Sequence, residues 1–164
     1  MGPGISGCGT ILPPVPTRTF SHSVEVDAPR EIVWAELEKP ETWEAIGGVD
    51  RVHDAVFDNE GRLEGFSFEA TAVGQTYPGL ATPHAREEGS VMAWAIDTSE
   101  VEGLTRVELA DEGEGTRCTV TVEVQSRSIL SSVLFPVIAS AIGQGLPAAV
   151  EAFAAQMSGS GQSS

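Results

Sequence analysis

Positive charge is scarce in this sequence. Nine Lys and Arg residues stand against 24 Asp and Glu residues, which gives a formal net charge of −15 over 164 residues. The arginines and the single Lys39 are scattered along the chain and form no basic cluster. Because binding to nucleic acid needs cations that replace the counterions along the phosphates, we expect neither nucleic acid nor an anionic membrane surface as a partner.

Cysteine is rare as well, since the chain contains only Cys8 and Cys118. Two cysteines do not build a disulfide framework, and Cys118 falls at an apolar position of a predicted strand. We expect Cys118 to be a small buried hydrophobic residue and the protein to be cytoplasmic, a reducing compartment. Residues 1–20 lack a basic segment followed by an unbroken apolar core, so we predict no secretory signal.

A clean membrane-spanning run is also missing. Residues 128–150 carry no charge and are long enough to cross a bilayer, but Ser, Gln, Gly and Pro interrupt them and no Trp, Tyr or Lys anchors flank them. We therefore predict no membrane span. Hydrophobic residues make up 41% of the chain and charged residues 20%, which is typical of a soluble domain that needs no disulfide or metal to fold.

The chain divides by composition into one domain and two flexible ends. Residues 1–17 are rich in Gly and Pro without periodicity, which predicts a disordered N-terminal arm. Residues 158–164 contain only Ser, Gly and Gln and predict a disordered tail. The folded domain is expected at 18–157. Residues 2–7 match the letters of a dinucleotide-binding glycine motif, but no predicted strand precedes them, so we reject that interpretation.

The remaining sequence predicts one strand, two short helices, six strands and a long helix. Residues 19–26 alternate between apolar and polar, whereas 29–38 and 40–46 have helical spacing. Glycine-containing breaks separate the later strands and suit tight hairpins. These later strands are predicted at about 50–58, 62–73, 75–85, 90–98, 103–111 and 116–126.

The last helix carries a continuous apolar stripe made of Phe135, Ile138, Ile142, Leu146, Ala149, Phe153 and Met157. We expect Pro136 and Pro147 to bend it. Together these elements predict an α+β fold in which a curved seven-stranded antiparallel sheet wraps around this helix. Because one helix is only about 10–12 Å across, it cannot fill the concave face of so wide a sheet, and we predict an apolar cavity there.

Candidate ligand-binding residues are aromatic or polar positions on predicted inward faces, together with apolar positions of the helix. Plain core packing is the alternative for Phe66, Phe68 and Trp94, and we expect Arg106 and Glu108 to form an outward ion pair. The three histidines lie far apart in sequence, and we predict no metal site and no cofactor. The candidates are Trp43, Phe66, Phe68, Tyr77, His84, Trp94, Phe135, Ile138, Ile142 and Leu146.

The order of these segments resembles the helix-grip superfamily, which includes START lipid-transfer domains, the birch-pollen-allergen fold and the SRPBCC-type polyketide cyclase/dehydrase-like proteins. The resemblance is carried by VEVDAPREIVWAELEKPETW at 24–43, RLEGFSFEATAVG at 62–74, MAW at 92–94 and GTRCTVTVEV at 115–124. It runs from about Thr19 to Met157. It implies a cavity between sheet and helix that takes hydrophobic ligands, but it implies no particular reaction.

Three functions remain open at this point. The first is a carrier or sensor for a small hydrophobic, lipid- or polyketide-like molecule. The second is a polyketide cyclase, aromatase or dehydratase, for which Tyr77 and His84 would be the candidate acid and base. The third is a non-catalytic module that binds another protein. We favour a non-enzymatic role, and the sequence specifies neither the ligand nor the oligomeric state.

Overall fold

Seven antiparallel strands form one sheet in the part of the chain that the structure describes. The structure is a computed structural model, and it describes residues 16–47, 49–72, 74–127, 133 and 135–162. The elements are β1 (Thr17–Val26), α1 (Arg30–Leu37), α2 (Pro40–Gly47), β2 (Arg51–Phe57), β3 (Leu63–Ala72), β4 (Gln75–Glu87), β5 (Val91–Thr98), β6 (Val101–Glu112), β7 (Gly115–Ser126) and α3 (Phe135–Gln162).

The spatial order of the strands is β1-β7-β6-β5-β4-β3-β2. From β2 to β7 each strand pairs with the next one in the chain, because short hairpins join them. β1 then pairs with β7, from Thr17 opposite Gln125 to Val26 opposite Thr116. The sheet is therefore open, with β1 and β2 as its edges. The predicted α+β class, seven strands and two short helices after β1 are confirmed.

Alternation along the strands decides which side chains enter the core. In β7 the side chains of Cys118, Val120 and Val124 are buried, as the period of two predicts. Cys118 is a free, fully buried thiol, and burial raises its pKa to about 12. Arg106 and Glu108 point outward and pair at 3.1 Å, as expected.

α3 crosses one side of the sheet rather than its centre, because it packs mainly against β1 and α2. Close contact with β1 depends on Gly143, since a Cβ atom there would lie 2.4 Å from the ring of Phe20. Of the predicted apolar stripe, Ile142 and Ala149 are only half-buried, whereas the other five positions are buried. These two positions face the space that the helix leaves over the central strands.

One strand boundary differs from the prediction. The strand predicted at about 103–111 begins earlier, at Val101, so Gly103 lies inside β6 rather than at the turn before it. A threonine builds this turn: Thr98 Oγ1 accepts hydrogen bonds from the backbone N–H groups of Glu100 and Val101, at 3.2 and 3.0 Å. A turn held by a side chain in this way needs no glycine. The position of Gly103 was therefore a misleading marker for the start of β6. Gly103 instead allows close approach to Glu123 O, because a Cβ atom at 103 would lie 2.0 Å from that oxygen.

Both ends of α3 differ from the prediction. Pro136 is the second residue of the helix, where a missing N–H breaks no hydrogen bond, so only Pro147 lies inside it. The helix continues past Ser158 to Gln162, and Ser158 Oγ accepts a hydrogen bond from Asp27 N at 3.1 Å. Of the arm predicted at 1–17, residues 1–15 lie outside the described residues, as do the last two residues of the chain, whereas Thr17 begins β1.

One helical stretch, Phe135–Ser158, is long and apolar enough to cross a bilayer by length and composition alone. Its apolar stripe packs on the sheet and on α2, as in the core helix of a soluble domain, which meets the same criterion. The stretch is therefore weak evidence for a membrane span.

Candidate functional site

A cavity of about 240 Å³ lies between the sheet, α2 and α3. It occupies the space over the central strands that α3 leaves uncovered. Its walls come from α2, from strands β3 to β7 and from α3, so residues far apart in sequence meet there. Apolar side chains make up most of these walls, which is the usual character of a small-molecule pocket.

Three aromatic rings pack together at one end of the cavity. Trp43 of α2 stacks on Phe66 of β3 with ring centroids 6.5 Å apart, and Trp94 of β5 meets both rings edge-on at 6.0 and 5.4 Å. Trp43 Nε1 donates a hydrogen bond to the carbonyl of Leu37 at 2.7 Å, which fixes the orientation of its ring. Stacked and edge-on arrangements are the preferred geometries of aromatic pairs, and here they give the cavity a rigid wall.

Phe68 extends this wall because the neighbouring strand has a glycine opposite it. Phe68 of β3 is paired with Gly79 of β4, and a Cβ atom at 79 would lie only 2.2 Å from the Phe68 ring. The ring therefore lies directly over the glycine backbone. A larger residue at 79 would push the ring away and change the shape of the cavity.

The opposite wall is one face of α3. Ile138, Ile142 and Leu146 contribute apolar side chains, one helical turn apart. Between them Ala141, Gly145 and Ala149 contribute little volume. The small residues leave the space open, so the size of the cavity depends on the alternation of large and small side chains along this helix.

Few polar groups interrupt the apolar lining. Thr105 of β6 is buried and lies directly opposite Trp94 of β5. The indole Nε1 of Trp94 is buried and has no hydrogen-bond partner among the described residues. The Nε1 of Trp34, which does not line the cavity, is likewise buried without a partner among the described residues, so an unpaired indole N–H does not by itself mark the cavity.

The rim of the cavity is more polar than its interior. Tyr77 is half-buried there, and its hydroxyl donates a hydrogen bond to Gln75 Oε1 at 3.2 Å. Thr71 donates to a carboxylate oxygen of Asp50, and Glu100 also borders the opening. No Lys or Arg lines the cavity among the described residues, so its electrostatics favour a neutral ligand over an anion.

Eight of the ten candidate residues from the sequence line this cavity, namely Trp43, Phe66, Phe68, Tyr77, Trp94, Ile138, Ile142 and Leu146. Phe135 does not line it and is buried in an apolar cluster with Val101 and Val124. His84 does not either. A bulge between Pro83 and Ala85 makes His84 the extra residue of β4 and leaves it exposed.

Sequence reasoning missed Thr105. The alternation that assigned Arg106 and Glu108 to the outer face also assigns Thr105, Val107 and Leu109 to the inner face. A polar residue on an inner face is a signal for a site, and it was present in the sequence. Nothing in the sequence marked Gly79 as a site residue, because only the register between β3 and β4 places it under the Phe68 ring.

The candidate acid and base of the enzyme hypothesis are not brought together. Tyr77 lies at the rim and His84 lies outside the cavity. His22 instead pairs with Glu151 at 2.8 Å, and His53 with Asp54 at 2.8 Å, both at the protein surface. Within the described ranges, no group of three or more His, Cys, Asp or Glu side chains could hold a metal ion.

The architecture is the helix-grip fold: a curved antiparallel sheet, two short helices after its first strand and a long C-terminal helix across its concave face. Comparison with solved structures confirms this resemblance at the level of the fold. The protein TTHA0849 from Thermus thermophilus is similar, with a TM-score of 0.68 and 15% sequence identity over 85% of this chain and 97% of that one.

Two further structures carry informative descriptions. A START superfamily protein from Mycobacterium smegmatis has a TM-score of 0.64 and 16% identity, over 84% of this chain and 97% of that one. The Zhui aromatase/cyclase from Streptomyces sp. R1128 has a TM-score of 0.65 and 14% identity, over 86% and 95%. No protein-family model matches the sequence, and no curated protein matches it significantly. At 14–16% sequence identity, the similarity to these structures establishes the fold and no particular function.

Proposed function

We propose that this protein binds a small, uncharged and mostly apolar molecule in the cavity between the sheet and α3. The observation that carries the proposal is the cavity itself, with an aromatic wall on one side and an aliphatic helix face on the other. Burial of apolar ligand surface there would supply the binding free energy. The fold similarity to a START superfamily protein agrees with this role.

The volume limits the size of the ligand. An engineered protein cavity of about 150 Å³ is large enough to hold benzene. A cavity of about 240 Å³ therefore suits a molecule of one or two rings, or a short aliphatic chain of similar bulk. A full-length phospholipid would need the walls to move apart. This favours a compact ligand over a membrane lipid.

A carrier or sensor role is supported better than catalysis. The predicted acid–base pair of Tyr77 and His84 is split between the rim and the outer surface. The fold similarity to an aromatase/cyclase supports the cyclase alternative. In that alternative the phenol of Tyr77, at the opening of the cavity, would be the candidate acid. The alternative of a protein-binding module has no comparable support. Cytoplasmic location stays a prediction.

Two neighbouring alanines on α3 allow a direct test. Ala149 lines the cavity, whereas Ala148 is exposed and does not. We expect naphthalene, added to isotopically labelled protein, to shift the amide resonances of cavity residues in a saturable way. Ala149→Phe should abolish those shifts by filling the space, and Ala148→Phe should keep them. The proposal is wrong if naphthalene causes no saturable shifts in the native protein, or if both variants bind it equally.

A further inference from the structure

One glycine beside the cavity is required for space rather than for its backbone conformation. Gly79 of β4 does not have the positive φ of Gly74 and Gly89, so its backbone conformation does not itself favour glycine. A Cβ atom at 79 would nevertheless lie 2.2, 2.5 and 2.7 Å from the Cζ, Cε1 and Cε2 atoms of Phe68. Carbon atoms in contact are about 3.5–4.0 Å apart, so the Phe68 ring occupies the space that a side chain at 79 would need.

These three distances also give the orientation of the ring. A point beyond the ring edge would lie much farther from the two Cε atoms than from Cζ, whereas the distances here span only 2.2 to 2.7 Å. The side-chain position of Gly79 therefore lies over the face of the ring, near Cζ, and the ring of Phe68 lies flat on β4. Its other face is turned away from the strand, towards the cavity that Phe68 lines.

A side chain at 79 would force this ring into the cavity. The backbone of β4 cannot move away, because it is paired with β3 on one side and with β5 on the other. Phe68 is 5% exposed and belongs to the hydrophobic core, so close-packed side chains surround the ring within the plane of the wall. The cavity is the open space that the ring borders, and a displaced ring would therefore enter it.

We infer that Gly79 is a positioning residue that sets the largest ligand the cavity admits, because it lets the Phe68 ring lie flat. The inference rests on the proposed function and deepens it by naming the ligand class, which is neutral molecules of two fused rings. A phenyl ring has the size of benzene, which an engineered cavity of about 150 Å³ holds. A ring raised into a cavity of about 240 Å³ would therefore leave room for a single-ring ligand at most.

Toluene and naphthalene, added separately to the whole chain, test this size limit. Both are apolar hydrocarbons, and naphthalene has more carbon atoms to bury, so the native protein should bind it at least about tenfold more tightly. Gly79→Ala should weaken the binding of naphthalene at least about tenfold and that of toluene less than about threefold. A loss of stability alone would weaken both probes equally, so the ratio of the two affinities reports the position of the ring.

Two further variants separate the ring from other effects of the substitution. Leu80→Ala introduces the same residue one position along β4, where the side chain is exposed on the outer face, and should keep the native ratio of affinities. Phe68→Leu removes the ring. Combined with Gly79→Ala, it should bind naphthalene at least about tenfold more tightly than Gly79→Ala alone. Circular dichroism checks that each variant is folded.

Nuclear Overhauser effects give a readout that needs no ligand. In the native protein one Hα of Gly79 lies over the Phe68 ring, so its resonance should move upfield through the ring current and show cross-peaks to the ring protons. In Gly79→Ala the ring protons should show new cross-peaks to methyl groups of α3 that line the cavity, such as those of Ile142 and Leu146.

The outcomes separate this inference from the proposed function. If Gly79→Ala keeps the native ratio of affinities, or if the double variant fails to restore naphthalene binding, Gly79 does not set the size limit and the apolar binding role survives. The inference is also wrong if the Hα of Gly79 shows no contact with the Phe68 ring. If the native protein binds neither probe, the proposed function fails and the size limit fails with it.

Discussion

At the scale of single residues, Asp58 organises the loop between β2 and β3. Its carboxylate accepts hydrogen bonds from the backbone N–H groups of Glu60 and Arg62 at 2.8 and 2.9 Å, and from Arg62 Nε at 2.7 Å. The backbone hydrogen bond from Arg62 is the main reason that the pKa of Asp58 lies below its ordinary value, with the Arg62 side chain adding to the effect. This exposed loop leads directly into β3, the strand that carries Phe66 and Phe68.

Asp58→Asn should therefore change the pH dependence of stability. Because the folded pKa is depressed, the stabilisation is fully present above the unfolded value near 3.8 and is lost as the pH falls through the folded pKa. We expect Asp58→Asn to lower the urea midpoint slightly at pH 7 and to match the native protein in strong acid. Urea unfolding between pH 2 and 7 checks this. A stability difference that stays constant over this range would contradict it.

At the scale of elements, α1 and α2 are held over the sheet by a half-buried arginine. Arg86 of β4 donates to both carboxylate oxygens of Glu38, which follows α1, at 2.8 and 3.2 Å, and to the carbonyl of Leu63 at 2.8 Å. Its guanidinium also lies 5.8 Å from the ring of Trp34. Hydrogen bonds to Glu38 raise the pKa of Arg86, so its charge is constant. This contact steadies the segment that carries Trp43 into the cavity.

The packing of α3 can be tested with two glycines on the same helix. A methyl group at Gly143 would meet the Phe20 ring, whereas one at Gly145 would meet nothing within 4 Å. We expect Gly143→Ala to destabilise the protein by about 1–3 kcal/mol through overpacking. Gly145→Ala should stabilise it by about 0.5–1 kcal/mol through helix propensity. Urea denaturation measures both, and effects of the same sign would contradict this description of the interface.

At the scale of the whole molecule, excess negative charge is the dominant electrostatic feature. The formal net charge is −15, and the ion pairs among the described residues are mostly exposed, such as Arg117 with Glu112 at 2.7 Å. Exposed pairs contribute little stability and are screened by salt. Repulsion among the many acidic residues destabilises the folded chain and is screened over the same distances.

Sodium chloride should therefore raise the unfolding temperature. We expect an increase of a few degrees between about 10 mM and 500 mM salt, because the screened repulsion exceeds the screened attraction for so acidic a chain. Thermal unfolding followed by circular dichroism measures this. Potassium chloride is the control for a specific ion effect, since it should act equally. An unfolding temperature that falls with salt would show that surface ion pairs outweigh the net repulsion.

Much of the fold could be predicted because local patterns and global packing agree. The period of two in β7 and the apolar stripe of α3 each follow from which face must be buried. Turns built by side chains were harder, as the Thr98 turn shows. Four of the eight candidate residues that line the cavity are on the sheet, where inward-facing positions of a concave surface converge, and the other four are on the helices that face it. His84 is an exception because of a single bulge in β4, which no local sequence pattern predicts.

The sequence by itself determined the acidic character, the order of elements and the inward faces of β1, β6 and β7, because each depends on residue type and short-range periodicity. Only the tertiary structure decided where the cavity lies and what its walls present. Strand register brings Gly79 under Phe68 and Thr105 beside Trp94, and the offset of α3 towards β1 leaves the central strands uncovered. Register and helix placement result from packing among distant segments, so they are properties of the whole fold rather than of any local stretch.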